Sequence, residues 1–364
     1  MPDHPSYRSF FDDSLDLQYG LYVSALLPPG VRFRRLLQHL HFSLPATFRV
    51  GESRTPPWLQ AQVRVHLDLS SLPKEVTPGS VYHSRFLELR SKFIDMTLIY
   101  TDGSKTNDGV GCSFIVGAQS FQYRLHGHCS VFTAELFALY QAVLYICRHR
   151  HSAYVICSDS LSAIQSLSDP YPVHPFVHRI QRSLQQLVDV GTPVSFMWVP
   201  GHVGIPGNEA ADAAAKAAVL QPRRASCCVP SSDLSRVICR RVVSLWHADW
   251  AALTDNKLRA LKPLPVAWTS SSRPSRREEV VLARLRIGHC RFSHRHLLTA
   301  APAPFCPCGH LLTVRHILMS CPDLNTLRLD LNLPNTLDAI LADDPRAAAR
   351  VLCFINLTNL AKDI

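Results

Sequence analysis

Four carboxylates in this sequence stand where elements begin or end, which makes them candidates for shared chemistry. Asp102 closes the apolar run Leu98-Ile99-Tyr100-Thr101 and is followed by the turn residues Gly103 and Ser104, so it reads as a carboxylate at the exposed tip of a buried strand. Asp159 follows the apolar run Ala153-Tyr154-Val155-Ile156-Cys157-Ser158 in the same way. Glu135 opens a helix-like segment in Phe132-Thr133-Ala134-Glu135-Leu136, and Asp212 ends the glycine-punctuated block that starts at Gly201. Taken singly, each acid is an ordinary solvated surface charge. As an ordered set they offer hard oxygen ligands of the kind that select Mg²⁺ or Mn²⁺. A second, softer set lies near the C-terminus: Cys306, Cys308, His316 and Cys321, spaced C-x-C-x7-H-x4-C. Three thiolates and an imidazole can hold zinc tetrahedrally, with Gly309 easing the turn between the first two. The competing readings are that the cysteines are small buried hydrophobes, or that His310 replaces His316 as the fourth ligand.

The order Asp, Glu, Asp, Asp on strand, helix, strand and helix resembles a type 1 ribonuclease H. Thr101-Asp102-Gly103-Ser104, Thr133-Ala134-Glu135-Leu136, Ser158-Asp159-Ser160 and the Gly201-to-Asp212 block carry the resemblance, over about one third of the chain. The phrasing is similar to the ribonuclease H domain of non-LTR retrotransposon polyproteins. Integrases and transposases of the same fold use an Asp, Asp, Glu order, which this chain does not follow.

The resemblance implies endonucleolytic hydrolysis of the RNA strand of RNA–DNA hybrids. Such hydrolysis needs an activated water and stabilised attacking and leaving oxygens, and two divalent ions roughly 3.5–4 Å apart can supply both. On this reading Asp102 bridges two Mg²⁺ (or Mn²⁺) ions, Asp212 lies on the attacking-water side, and Glu135 and Asp159 on the leaving-group side. His202 matches a mobile-loop histidine that assists proton transfer or product release; its bland alternative is a loop residue packed on Trp198. Gly103, Ser104, Thr133, Ser160 and Asn208 match substrate-contacting positions. Cellular ribonucleases H carry amide side chains just before the helix Glu, where Val131 and Phe132 stand here. Hybrid selectivity would then depend more on backbone contacts and recognition of the 2′-OH. The C-terminal Cys/His set resembles the cysteine-histidine motif of the same polyproteins, with Arg286-Ile287-Gly288-His289 and His294 as its flank. It departs from the retroviral C-x2-C-x4-H-x4-C knuckle.

The acids need a scaffold, and the intervening sequence supplies a plausible one. Strand-like runs between Thr97 and Tyr123 are broken at Asn107-Asp108-Gly109, a hairpin signal. Leu136, Leu139, Val143 and Ile146 recur at helical spacing between Thr133 and Arg148, with Thr133 as the expected N-cap. Helices after Ser160 and Pro175, a strand from Pro193 to Val199 and a helix from Asn208, which can cap it, complete the set. The expected fold is an α/β ribonuclease H-like mixed five-stranded sheet flanked by helices. A smaller, mainly helical C-terminal region with a zinc site follows it.

The 364 residues suggest four segments: an N-terminal spacer (1–93), the ribonuclease H domain (94–221), a helical linker (222–275) and the C-terminal Cys/His region (276–364). The spacer resembles the stretch joining reverse transcriptase to ribonuclease H. Its Arg32–Phe42 segment has helical apolar spacing. Phe10-Phe11-Asp12-Asp13 fits a loose polymerase pattern that we reject, because the match is four residues long and no upstream fingers or palm could supply the partner carboxylate. In the linker, Leu234–Leu253 has amphipathic helical spacing between the basic stretches Gln221-Pro222-Arg223-Arg224 and Ser270–Arg277. The net charge is +10 and only seven residues are lysine, so the basic character is mostly arginine, which suits phosphate contacts. No secretory signal is visible, and the apolar run Leu21–Leu27 is too short to span a bilayer. Twelve cysteines without an export signal argue for reduced thiols in the cytosol or nucleus. The expected partner is an RNA–DNA hybrid, with no membrane and no obligate protein partner. The alternatives are a non-catalytic nucleic-acid-binding remnant, or an adaptor whose zinc module carries the function.

Overall fold

The computed structural model describes residues 29–48, 56–73, 76–149, 153–362 and 364. Phe10-Phe11-Asp12-Asp13 and Leu21–Leu27 lie outside the described residues. The chain forms two compact units, residues 1–240 and 241–364.

The first unit is built on one mixed sheet. Strands β1 (Arg64–His66), β2 (Met96–Lys105), β3 (Val110–Val116), β4 (Gln119–Leu125), β5 (Ala153–Ser158) and β6 (Val194–Trp198) lie in the order β1-β6-β5-β2-β3-β4. The hairpin expected at Asn107-Asp108-Gly109 joins β2 to β3, with Lys105 opposite Val110. Gly117, at φ +54°, turns β3 into β4 in the left-handed region that the tightest hairpins need. The Phe114–Phe121 pair, 4.4 Å apart, fastens these two strands. β5 and β6 run parallel to β2. The sheet has six strands rather than five, because β1 adds parallel to β6. Three residues without clear alternation gave the sequence no strand signal there.

Helices α1 (Pro29–His39) and α2 (Gly79–Ser91) precede β2, and α3 (Val131–Arg148), α4 (Leu161–Ser166), α5 (Pro175–Asp189) and α6 (Pro206–Ala218) follow the strands as expected. The apolar repeat of α3 is its core face: Leu136, Leu139, Val143 and Ile146 have no exposed surface. α3 is long and apolar enough to cross a membrane, but here it is packed as a core helix. On the other face of the sheet Val155, Cys157 and Met197 bury against Tyr82, Phe86 and Leu89 of α2. α7 (Ser231–Ala252) begins in the first unit.

The second unit is mainly helical, with α8 (Lys257–Leu261), α9 (Arg276–Ile287), α10 (Arg291–Thr299), α11 (Asn325–Asp330), α12 (Leu337–Ile340) and α13 (Pro345–Leu357). Leu282, Leu285, Leu318, Val351 and Phe354 are at its centre. Ser270 and Arg286 are tied into this unit: Asp343 accepts from both the N–H and the hydroxyl of Ser270. The Arg286 guanidinium donates to the Leu341 and Ala342 carbonyls. Arg286 is thereby committed to structure.

Candidate active site

Asp102 does not sit at a strand tip. β2 continues to Lys105 along β3, with Asp102 opposite Ser113, whereas its parallel pairing with β5 stops at Thr101 and Ser158. Asp102 is thus the first residue of β2 beyond β5, and Asp159 is the first residue after β5 ends. Ser113 donates to the Ala211 carbonyl of α6 at 2.7 Å, tying β3 to the helix that carries Asp212. From the other side α3 brings Glu135 against β2, an approach only Gly103 allows. A Cβ there would stand 2.5 Å from the Glu135 nitrogen and 2.8 Å from the Ala134 carbonyl carbon. At Gly201 a Cβ would lie 2.5 Å from Asp159 Oδ2, a clash that falls on the carboxylate's end rather than on backbone.

Asp102, Glu135 and Asp159 each offer an oxygen within 4.8 Å of the others. Burial, then the charges of Asp159 and Asp212, push Asp102 up to about 7. Burial first, and then Asp102 and Asp159, hold Glu135 well above the ordinary carboxylate range. Asp159 is also raised by burial, opposed by a hydrogen bond from Asn208 and by the nearby His202. Glu135 Oε2 is buried without a hydrogen-bond partner among the described residues. Such a cluster resists full ionisation until a cation joins it, and the donor set is all hard oxygen, so the residues fit a divalent ion.

Asp212 belongs to a neighbouring triplet with His202 and Glu209, whose ligand atoms also lie within 4.8 Å of one another. Its Oδ2 pairs with Lys216 at 2.6 Å, while its charge is felt by Asp102, Glu135 and Asp159 alike. His202 is exposed and adopts φ +61°, on a turn that Gly204 continues at φ +84°. The indole of Trp198 donates to the Asp159 carbonyl at 3.0 Å. Glu209, to which the sequence reading gave no role, steadies this turn. It accepts from the Gly204 N–H at 3.2 Å and lies 3.8 Å from His202 Nδ1.

Several positions matched to substrate contact face inward. Thr133 is fully buried, and it is Ser130 that caps α3, accepting from the Thr133 N–H at 3.2 Å. Asn208 caps nothing. α6 begins at Pro206, and Asn208 is buried in its first turn, where it supports Asp159. Gly103 is buried under α3, whereas Ser104 and Ser160 are partly accessible. Val131 is 48% exposed beside the acids' helix end, and Phe132 packs edge-on against His174.

Residues 95–220 match the RNase H family model. The chain therefore carries an RNase H domain, and its three converging carboxylates lie within it. The chain is 25% identical to the Pol polyprotein of Ovine maedi visna related virus (strain South Africa) over 170 residues, 42% of its length. It is 30% identical to the Pol polyprotein of Equine infectious anemia virus (strain Wyoming) over 193 residues, 50% of its length. The matches span 15% and 16% of those polyproteins. Asp233, beyond the RNase H match, reaches back into this domain, and sequence reading gave no sign of it.

In the second unit, Cys306, Cys308, His316 and Cys321 place their ligand atoms within 4.8 Å of one another. Cys306 and Cys321 are 3.8 Å apart, and Cys308 Sγ is 3.1 Å from His316 Nε2. Gly309, at φ +84°, makes the turn after Cys308. His310 stands outside the set, 3.7 Å from Cys308 Sγ.

Proposed function

We propose that this chain cuts the RNA strand of RNA–DNA hybrids, with Asp102, Glu135 and Asp159 as metal ligands and Asp212 joining them from α6. The convergence of three carboxylates, Asp102 and Glu135 buried and Asp159 half-buried, within an RNase H domain carries this reading. Two Mg²⁺ or Mn²⁺ ions bound there would activate the attacking water and stabilise the leaving oxygen. The chain's own residues hold the frame. The Gly103 N–H lies within hydrogen-bonding reach of Asp102 and Glu135, Trp198 fixes the backbone of Asp159, and Asn208 orients its carboxylate. His202, exposed beside Asp212, is free to carry a proton between solvent and the site. The arginine-rich charge of +10 favours the polyanionic substrate.

Cys306, Cys308, His316 and Cys321 hold one zinc ion on this reading, supported by a soft donor set already within ligand distance. The spacing of that set also supports descent from a non-LTR retrotransposon polyprotein. The deciding experiment is gel cleavage of a labelled hybrid in Mg²⁺ and then Mn²⁺, with single-stranded RNA and duplex DNA as controls. Metal-dependent cutting of only the hybrid's RNA strand is expected. Binding without cutting would favour a non-catalytic hybrid-binding protein.

A further inference from the structure

The start of α3 carries a hydrogen-bond network that its own sequence cannot complete. In a capping box, the N-cap serine accepts from the N–H three residues on, and a glutamate at that third position reaches back to the serine's N–H. Ser130 makes the first bond, to the Thr133 N–H at 3.2 Å. The third position is Thr133, which does not make the return bond. Asp233 of α7 makes it instead: Oδ2 accepts from the Ser130 N–H at 2.8 Å and from the Thr133 hydroxyl at 2.6 Å. The carboxylate is 2% exposed and sits at the positive end of the α3 dipole.

The third arm comes from α5. The Phe176 N–H donates to His174 Nδ1 at 3.3 Å, so that nitrogen carries no proton. Nε2–H is then left to donate to Thr133 Oγ1 at 3.1 Å. Thr133 passes the chain of donors on to Asp233. Burial holds the His174 imidazole down to about 4, which keeps it neutral and in this role at physiological pH. Three helices are therefore pinned to one hydroxyl, two residues before Glu135. Because Glu135 Oε2 has no hydrogen-bond partner among the described residues, the position of that carboxylate depends heavily on where α3 begins.

We propose that Asp233 is a positioning residue for the carboxylate site, supplying from outside the matched RNase H span the return half of the α3 capping box. This rests on the metal-ligand role of Glu135 read above. It predicts that the RNase H span alone is an incomplete site, with α7 contributing its last fixed point.

The test uses the full chain with Asp233→Ala and, as a variant that leaves α7 intact, Thr133→Val. Each is expected to lower kcat for hybrid cleavage by about 10-fold or more, because a small displacement of a catalytic ligand is costly. The Mg²⁺ concentration for half-maximal rate should rise while the hybrid KM is nearly unchanged. Thr133→Ser should restore both values. The double variant should be no worse than Asp233→Ala, since the two residues act through one another. In the metal-free wild type and variants, hydrogen exchange reads the cap without activity. Asp233→Ala should speed exchange of the amides from Ser130 to Glu135 by at least about 10-fold, the N-cap effect expressed as a rate. A folded Asp233→Ala protein with unchanged exchange at those amides would overturn the cap. Faster exchange with wild-type kcat and Mg²⁺ dependence would overturn the positioning role. A wild type that does not cut the hybrid would refute the proposed function while the exchange result still decides the cap.

Discussion

Asp102→Asn should stabilise the metal-free protein while it abolishes cleavage, a combination that a structural residue would not give. Each pH unit between the folded and unfolded values of a group is worth about 1.4 kcal/mol. A carboxyl raised from its ordinary 3.8 to about 7 by burial and by Asp159 and Asp212 then costs the folded state about 4 kcal/mol once ionised. The folded value lies above the unfolded one, so this cost is absent in acid and grows as the pH rises toward about 7. Asparagine keeps the volume and can still accept from the Gly103 N–H, but it carries no charge. The variant should gain up to about 4 kcal/mol at pH 8 and under about 2 kcal/mol at pH 5. For a unit of this size that is about 10 °C in Tm at pH 8. Thermal unfolding in EDTA at the two pH values reads the gain. Added Mg²⁺ should then raise the Tm of the wild type more than that of the variant, because the ion binds only the folded site. A variant no more stable than wild type at pH 8, or one that gains more at pH 5, would refute the electrostatic account. Hybrid cleavage at the wild-type rate would refute the ligand role.

Three other changes have defined outcomes. His202→Asn, which tolerates the left-handed turn, should slow cleavage by about 10²-fold or less and leave Mg²⁺-induced stabilisation intact; a loss as complete as that of Asp102→Asn in the same cleavage assay would mean His202 is itself a ligand. The purified chain should contain about one zinc by elemental analysis, and a strong chelator should reduce its helical circular dichroism. No zinc and unchanged helicity would leave the cysteines as buried hydrophobes. Ending the chain after Leu220 removes Asp233 and the buried side chains Val229 and Leu234, so denaturant unfolding should show a loss of several kcal/mol, at about 1.5–3 kcal/mol per buried aliphatic residue plus the cap. An equally stable truncated domain would show that α7 is dispensable to it.

What could be read from the sequence follows from which interactions are local. The strands bearing Asp102 and Asp159, the hairpin at Asn107-Asp108-Gly109 and the buried stripe of α3 each announce themselves within a few residues, through period or turn chemistry. The spacing of Cys306, Cys308, His316 and Cys321 did so too, because the turn at Gly309 and the helical turn His316–Ser320 bring the four side chains together. The errors fall where a long-range partner decides. Thr133 looked like a cap because hydroxyls at helix starts usually are. Ser130 stands three residues earlier, and a carboxylate a hundred residues away gives Thr133 its role. Asn208 looked like a cap for the same reason, yet Pro206 starts the helix and the amide turns to Asp159. Asp102 looked like a strand tip because Gly103 follows it. That glycine marks the place where α3 presses onto a continuing strand, with no room for a side chain above Glu135. The same residue type that signals a turn locally is here required by packing, and only the third dimension separates the two. Asp159 stood out because it directly follows a strand and Glu135 because it lies near the start of a helix, whereas Asp102 lies within β2 and Asp212 within α6. Glu209, which holds the His202 turn, and Asp233, which holds the start of α3, gave no sign, because nothing local distinguishes a supporting side chain from a solvated one.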